Sequence, residues 1–144
     1  MAKRSGLFLL MLFSVFLVLA SCRGEKTERD GWKYVSVIGD EKGRKVTVFL
    51  DTNNIEIDGN KRKFWIKYMA TKAGEGGNEE EYIRQTGYWE IDCYDRSLYR
   101  LAEEYFSPSG KLLGRTEKRV REEYGSYQSL GSKMSDIACR YAGN

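Results

Sequence analysis

Histidine is missing from the whole chain of 144 residues. That removes the usual general base near neutral pH and the commonest transition-metal ligand. A serine or cysteine nucleophile would need such a base, so the sequence offers no nucleophile–base arrangement. Cysteine is scarce: there are three, Cys22, Cys93 and Cys139, and no C-x-x-C spacing. Neither a redox motif nor a thiolate metal site is indicated. Gly74-Glu75-Gly76-Gly77 has no Lys-Ser/Thr behind it and no helix to open, so it is not a phosphate loop. The adjacent acids Glu103-Glu104 and Glu122-Glu123 would point to opposite faces of a strand. Asp92 and Asp95 flank Cys93 and remain as a carboxylate pair that nothing else singles out. The expectation is a non-enzyme with no catalytic, metal or cofactor-binding residues.

Charge of one sign is lacking too. Lys and Arg number 24 and Asp and Glu 21, a formal balance of +3. A nucleic-acid partner would call for a clustered basic excess. Long apolar runs are limited to one, Leu7 to Ala20, in which only Ser14 is polar. It is shorter than the roughly 20 residues of a membrane span. Lys3 and Arg4 precede it, and Leu19-Ala20-Ser21-Cys22 follows. A basic start, a short apolar stretch and small residues at its end read as a secretory signal.

Leu-Ala-Ser-Cys closely resembles the lipobox of bacterial lipoproteins. That resemblance implies cleavage before Cys22, diacylglycerol on its sulfur and acylation of the new amino terminus. The alternative is an ordinary cleaved signal with a chance cysteine. Taking away residues 1–21 removes two bases and no acid, leaving 22 basic and 21 acidic side chains, or +1. The membrane would then be a partner through lipid at Cys22 alone, and more than one acyl chain gives stable anchoring. Arg23, rather than an aspartate, follows Cys22. By analogy with enteric sorting this favours the outer membrane.

The expected organisation is a signal peptide at 1–21, a lipidated tether at 22–30 and a folded domain at 31–144. The tether, Arg23 to Asp30, is highly charged and without periodicity. Behind it, runs rich in β-branched and aromatic residues are bounded by turn residues. They predict strands at 31–38, 45–50, 55–57, 63–69, 82–93, 96–106 and 111–120. Trp32 and Tyr34 are expected on one face of the first strand, Val35 and Val37 on the other. Asp58-Gly59-Asn60 signals a hairpin. Ser107-Pro108-Ser109-Gly110 places Pro and Gly as a type I turn prefers. Lys72 to Asn78 reads as a mobile loop. Ser132 is the expected cap of a helix over 133–142, whose apolar face is Met134, Ile137, Ala138 and Tyr141. The fold class is α+β: an antiparallel meander of six to seven strands closed by a C-terminal helix. With Cys22 lipidated, Cys93 and Cys139 are an even pair in an oxidising compartment, expected to form a structural disulfide.

Several features follow one another in order. They are Trp32 on a first strand, Phe64-Trp65-Ile66-Lys67 after an Asp-Gly hairpin, and Asp92-Cys93 before Arg96 and Tyr99-Arg100. Tyr105-Phe106 then precedes a turn ending in Gly110, and a short helix carries Cys139. Together with the lipobox, this order resembles the surface-adhesin protein E family of bacterial lipoproteins. The resemblance covers about residues 31–141. It implies a small antiparallel sheet with a helix disulfide-linked to one face, an envelope lipoprotein, and a domain that allows a homodimer. It also implies a protein ligand, a host matrix protein or an envelope protein, held by a non-catalytic module. The approach to the helix departs from the family's Pro-Gly-Ser-like pattern; here it is Leu130-Gly131-Ser132. Exposed aromatics, Trp65 and Trp89 among them, are the expected anchors of a contact surface, unless they are core and cross-strand pairs. The alternative function is a periplasm-facing envelope protein that takes a small molecule, or supports an envelope assembly, in the concavity between sheet and helix.

Overall fold

The computed structural model describes residues 31–125 and 128–141. The signal segment, Cys22, the tether and Ala142 lie outside the described residues. Seven strands form one antiparallel sheet: β1 (Trp32–Gly39), β2 (Lys45–Asp51), β3 (Glu56–Asp58), β4 (Lys61–Ala73), β5 (Glu79–Asp92), β6 (Leu98–Phe106) and β7 (Leu112–Glu122). Their order is β1-β2-β4-β5-β6-β7, with the short β3 paired to β4 beyond the end of β2. The helix α1 (Leu130–Ala138) follows.

Side chains alternate between two faces along β4. Phe64, Ile66, Tyr68 and Ala70 are buried, while Trp65, Lys67 and Met69 are half-buried on the opposite face. The buried set joins Val46, Val48 and Leu50 of β2, Trp89 and Ile91 of β5, and Leu98 of β6. Met134 and Ala138 of α1 belong to the same core, so the helix lies on this inner face. Full burial of side chains such as Phe64, Leu50 and Ile91 is worth about 1.5–3 kcal/mol each. Among the described residues no element covers the other, outer face.

Five register shifts interrupt the ladder, two of them between β6 and β7, at Arg100/Ala102 and Tyr105/Phe106. Val35 is the extra residue of β1, since Tyr34 pairs with Phe49 and Ser36 with Val48. A bulge inverts the side-chain phase beyond it. Val35 and Ser36 are therefore both buried, and Val37 lies on the outer face at 44 % exposed, not with Val35. Arg84 is extra in β5 and Leu101 in β6.

The turns follow their residues. Gly59 takes a φ of 55° at the first position of the two-residue β3–β4 loop, as a type II′ hairpin asks. Gly110 closes the β6–β7 turn by donating its N–H to the Ser107 carbonyl at 2.9 Å. The loop between β4 and β5 is shorter than expected. Lys72 and Ala73 belong to β4 and pair with Glu80 and Glu79, leaving a tight connection with a 3-10 turn at Glu75–Gly77.

The helix starts one turn earlier than the sequence suggests. Ser129, not Ser132, is the cap: its Oγ accepts the Ser132 N–H at 3.1 Å and donates to the Tyr124 carbonyl at 2.7 Å. Gly131 fits inside the first turn because a Cβ there would stand 2.7 Å from the Tyr124 oxygen. The helix ends at Ala138, so Cys139 is its C-cap rather than a member of it. From that place Cys139 joins Cys93, the residue after β5, across a Cα separation of 5.7 Å.

Candidate functional site

Outer-face positions follow from parity and pairing. Lys67 of β4 faces Phe49 of β2, which faces Tyr34 of β1; Trp65 faces Tyr88 of β5. The result is a belt of aromatic side chains across four strands. Trp65 and Tyr88 stack with ring centroids 5.0 Å apart and planes at 29°. Phe49 meets Tyr34 edge to face at 6.2 Å. The Lys67 ammonium sits 4.3 Å from the Trp32 ring centroid and 5.5 Å from that of Phe49. Such cation–π contacts are worth about 0.5–1 kcal/mol at exposed sites. Tyr34 is 45 % exposed, and Trp32, Phe49, Trp65, Lys67 and Tyr88 are half-buried. None of them needs the helix for its packing.

The belt is held stiffly. The Tyr88 hydroxyl donates to Glu56 Oε1 of β3 at 2.8 Å. Burial, then the Glu56 carboxylate beside it, pushes the Tyr88 hydroxyl up to about 12, so the tyrosine stays a neutral donor. Next along the same face lies a charge cluster centred on Glu90, whose side chain is 5 % exposed. Arg119 of β7 donates to it at 2.8 Å, and Lys61 and Lys63 approach to 3.8 and 3.9 Å. Arg119 also lies 3.9 Å over the Tyr99 ring. Its hydrogen bond to Glu90 holds its pKa above the usual arginine value. Three cations thus surround this one carboxylate, with Glu56, Asp58 and Asp92 paired beside the two lysines on the same face.

The residues considered from the sequence separate clearly. Trp65 is on the outer belt, whereas Trp89 is 7 % exposed and in the core. Asp92 and Asp95 do not form an acid pair. Asp92 Oδ1 accepts the Tyr94 and Asp95 backbone N–H groups, and Asp95 Oδ1 accepts that of Ser97. Those bonds shape the β5–β6 turn, and Asp95 is held below the usual carboxylate range chiefly by the Ser97 N–H. Glu103 and Glu104 do face opposite ways. Glu103 takes Gln85 and Arg100 on the inner face; Glu104 takes Thr86 and Arg115 on the outer. Among the described residues no group of three or more Cys, Asp or Glu side chains is placed to hold a metal ion. No helix among them is long and apolar enough to cross a membrane.

Sequence reasoning did not find Lys67, Glu90 or Arg119 as parts of a site. The signal for Lys67 was available: it shares strand parity with Trp65 and lies on the face away from Phe64 and Ile66. Glu90 carried none, because its partners stand on two other strands and are fixed only by register.

A family model described as surface-adhesin protein E matches residues 32–140, from the first residue of β1 to just past the C-cap of α1. No curated protein and no solved structure gives a significant match.

Proposed function

The chain belongs to the surface-adhesin protein E family, and from that premise we propose that it is a lipid-anchored, non-catalytic adhesin-like module that holds a protein partner on its outer sheet face. The observation that carries this reading is the belt Trp32–Phe49–Lys67–Trp65–Tyr88 on the face away from the helix. Contact surfaces concentrate their energy in aromatic and cationic side chains of this kind.

In this reading residues 1–21 are a signal peptide, Cys22 carries the acyl chains, and residues 22–30 tether the domain to the outer membrane. The partner is a host matrix protein or another envelope protein, and a homodimer is compatible with it. Family membership supports a surface location and a role other than catalysis. The alternative is a domain turned toward the periplasm.

Protease treatment of intact cells separates the two. Digestion of the domain without permeabilisation supports surface display. Protection until the outer membrane is opened overturns it in favour of the periplasmic reading. Cys22→Ser tests the anchor: the precursor should accumulate, and a variant that matures and partitions like wild type removes Cys22 from the scheme. Adhesion of cells carrying the full chain to immobilised matrix proteins tests the face itself. Trp65→Ala should reduce it while a substitution on the inner face does not.

A further inference from the structure

The β4–β5 hairpin outruns the strands on either side of it. The pairing of β2 with β4 stops at Val46 and Ala70, and that of β5 with β6 stops at Gln85 and Tyr105. The ladder between β4 and β5 continues to Ala73 and Glu79. Its last stretch is therefore a two-stranded ribbon without a third strand. β6 leaves at Phe106, where the chain turns into β7. On that side the edge of β5 is open over residues 79–83, a run of about 17 Å at the usual strand rise. The bulged Arg84 ends it.

An open edge presents backbone N–H and C=O groups from every second residue to whatever lies beside it. Among the described residues no other strand or loop bonds to 79–83. A two-stranded ribbon is also marginal by itself, and a third strand would stabilise it.

The side chains select what fits. Glu79, Glu81 and Ile83 pair with Ala73, Thr71 and Met69 and so lie on the outer face; Glu80 and Tyr82 lie on the inner. Glu80 is paired with Lys72 at 3.2 Å, and Tyr82 packs against the core. Glu79 and Glu81 are exposed and have no cation partner among the described residues. Ile83 beside them is 41 % exposed. A second copy of this edge, paired about Glu80 or Glu81, would set glutamate opposite glutamate, which is destabilising. Basic residues in the same places are favourable.

We propose that residues 79–83 take up an extended segment of a protein partner as an added antiparallel strand, with the pattern apolar-x-basic-x-basic. The apolar residue lies opposite Ile83, and Lys or Arg lies opposite Glu81 and Glu79. Main-chain hydrogen bonds supply the affinity, and the side chains of one face choose the segment. None of these residues belongs to the aromatic belt, so the inference stands or falls separately from the reading of that face.

The amide signals of 79–83 in a ¹⁵N–¹H correlation spectrum of the detergent-solubilised full chain report the edge directly. The end-blocked peptide Thr-Val-Thr-Lys-Thr-Lys-Thr should move them saturably at low salt, with a Kd of roughly 1 mM or tighter. It should also slow exchange of the amides that point away from β4, while the indole signals of Trp32 and Trp65 stay still. The peptide with Glu for both Lys should bind at least about tenfold more weakly. So should Lys-Lys-Thr-Thr-Thr-Thr-Val, which keeps the charge and loses the pattern. Glu79→Lys together with Glu81→Lys should reverse the preference toward the Glu peptide. If that double change disturbs the ribbon, Glu81→Gln alone should weaken the Lys peptide several-fold. Still signals at 79–83, equal binding of the reordered peptide, or movement of the indoles alone overturns the assignment. Slow exchange of the outward amides before any peptide is added also overturns it, because the chain itself or a second copy then fills the edge.

Discussion

Trp65 and Tyr88 face each other across β4 and β5 with ring centroids 5.0 Å apart, and the Tyr88 hydroxyl is tied to Glu56. The two rings support one another rather than a core. Aromatic pairs of this kind contribute about 0.5–1.5 kcal/mol beyond their burial. Trp65→Ala should therefore lower unfolding stability by a small amount, about 1 kcal/mol, and leave a folded domain. If the belt is the contact surface, the same substitution should cost at least about 2 kcal/mol of partner binding. Denaturant midpoints and binding measured on one preparation give both figures. Equal losses in the two would place Trp65 in a structural role only.

Gly87 makes a second case. Trp89 occupies the volume above it, with Nε1 2.5 Å from where a Cβ would lie. A buried indole is not the loose end of a flexible chain, so Gly87→Ala forces a shift in the core. Overpacking costs about 1–3 kcal/mol, and the denaturant midpoint should fall accordingly. Gly59→Ala should also be destabilising, but through its φ of 55°, with no change in Trp89 fluorescence. A Gly87→Ala variant as stable as wild type would show that the indole moves freely.

Asp40 contributes to the acid side of the stability curve. Its carboxylate accepts the backbone N–H groups of Arg44 and Lys42 and pairs with the Arg44 and Arg84 guanidiniums. The Arg44 N–H is the largest cause that holds its pKa at about 2, below the usual 3.8. A depressed folded pKa means stability that is complete above the ordinary carboxylate pKa and is lost as pH falls through the folded value. Wild type should then lead Asp40→Asn in urea midpoint near pH 5, and the gap should close between about pH 4 and 2. A gap that persists unchanged at pH 2 would assign the effect to hydrogen bonding alone.

What the sequence could reveal about this fold depended on how local the determining contacts are. Period-two alternation located β4 and β5, but whether Trp65 was a surface anchor or a core or cross-strand partner stayed open until the register set it against Tyr88 on the outer face. Parity was blind to Val35 and Leu101, because a bulge is defined by the partner strand and not by the bulged one. Val37 was misplaced for that reason. The helix start was missed by three residues since Ser129 and Ser132 are equally good caps in isolation. Tyr124, whose carbonyl fixes Ser129, decides between them. Glu90 and Glu103 read as ordinary strand acids, and only the register that brings Arg119 and Gln85 alongside makes them buried hubs.

The Cys93–Cys139 bond closes a loop with a sequence separation of 46. In the chain-entropy model, closure of that length is worth about 4 kcal/mol. That is a large share of the roughly 5–15 kcal/mol of a domain. Its place matters as much as its size. Cys139 caps a nine-residue helix whose N-terminus is held by Ser129. A helix that short is marginal alone and depends on packing. The two ends are therefore fastened by different means, a covalent bond at one and the hydrogen bonds of Ser129 and Lys133 at the other. Cys139→Ser should lower stability by a few kcal/mol and raise amide exchange first in the last turn, around Ile137 and Ala138. Ser129→Ala should cost about 1 kcal/mol and raise exchange first at Ser132 and Lys133. With both changes the helix should exchange as one unit while Ile66 and Ile91 in the sheet stay protected. Hydrogen exchange on the two single variants and the double variant reads this directly. Unchanged protection of the last turn in Cys139→Ser would mean that Met134 and Ala138 hold the helix by packing and the bond adds little to its position.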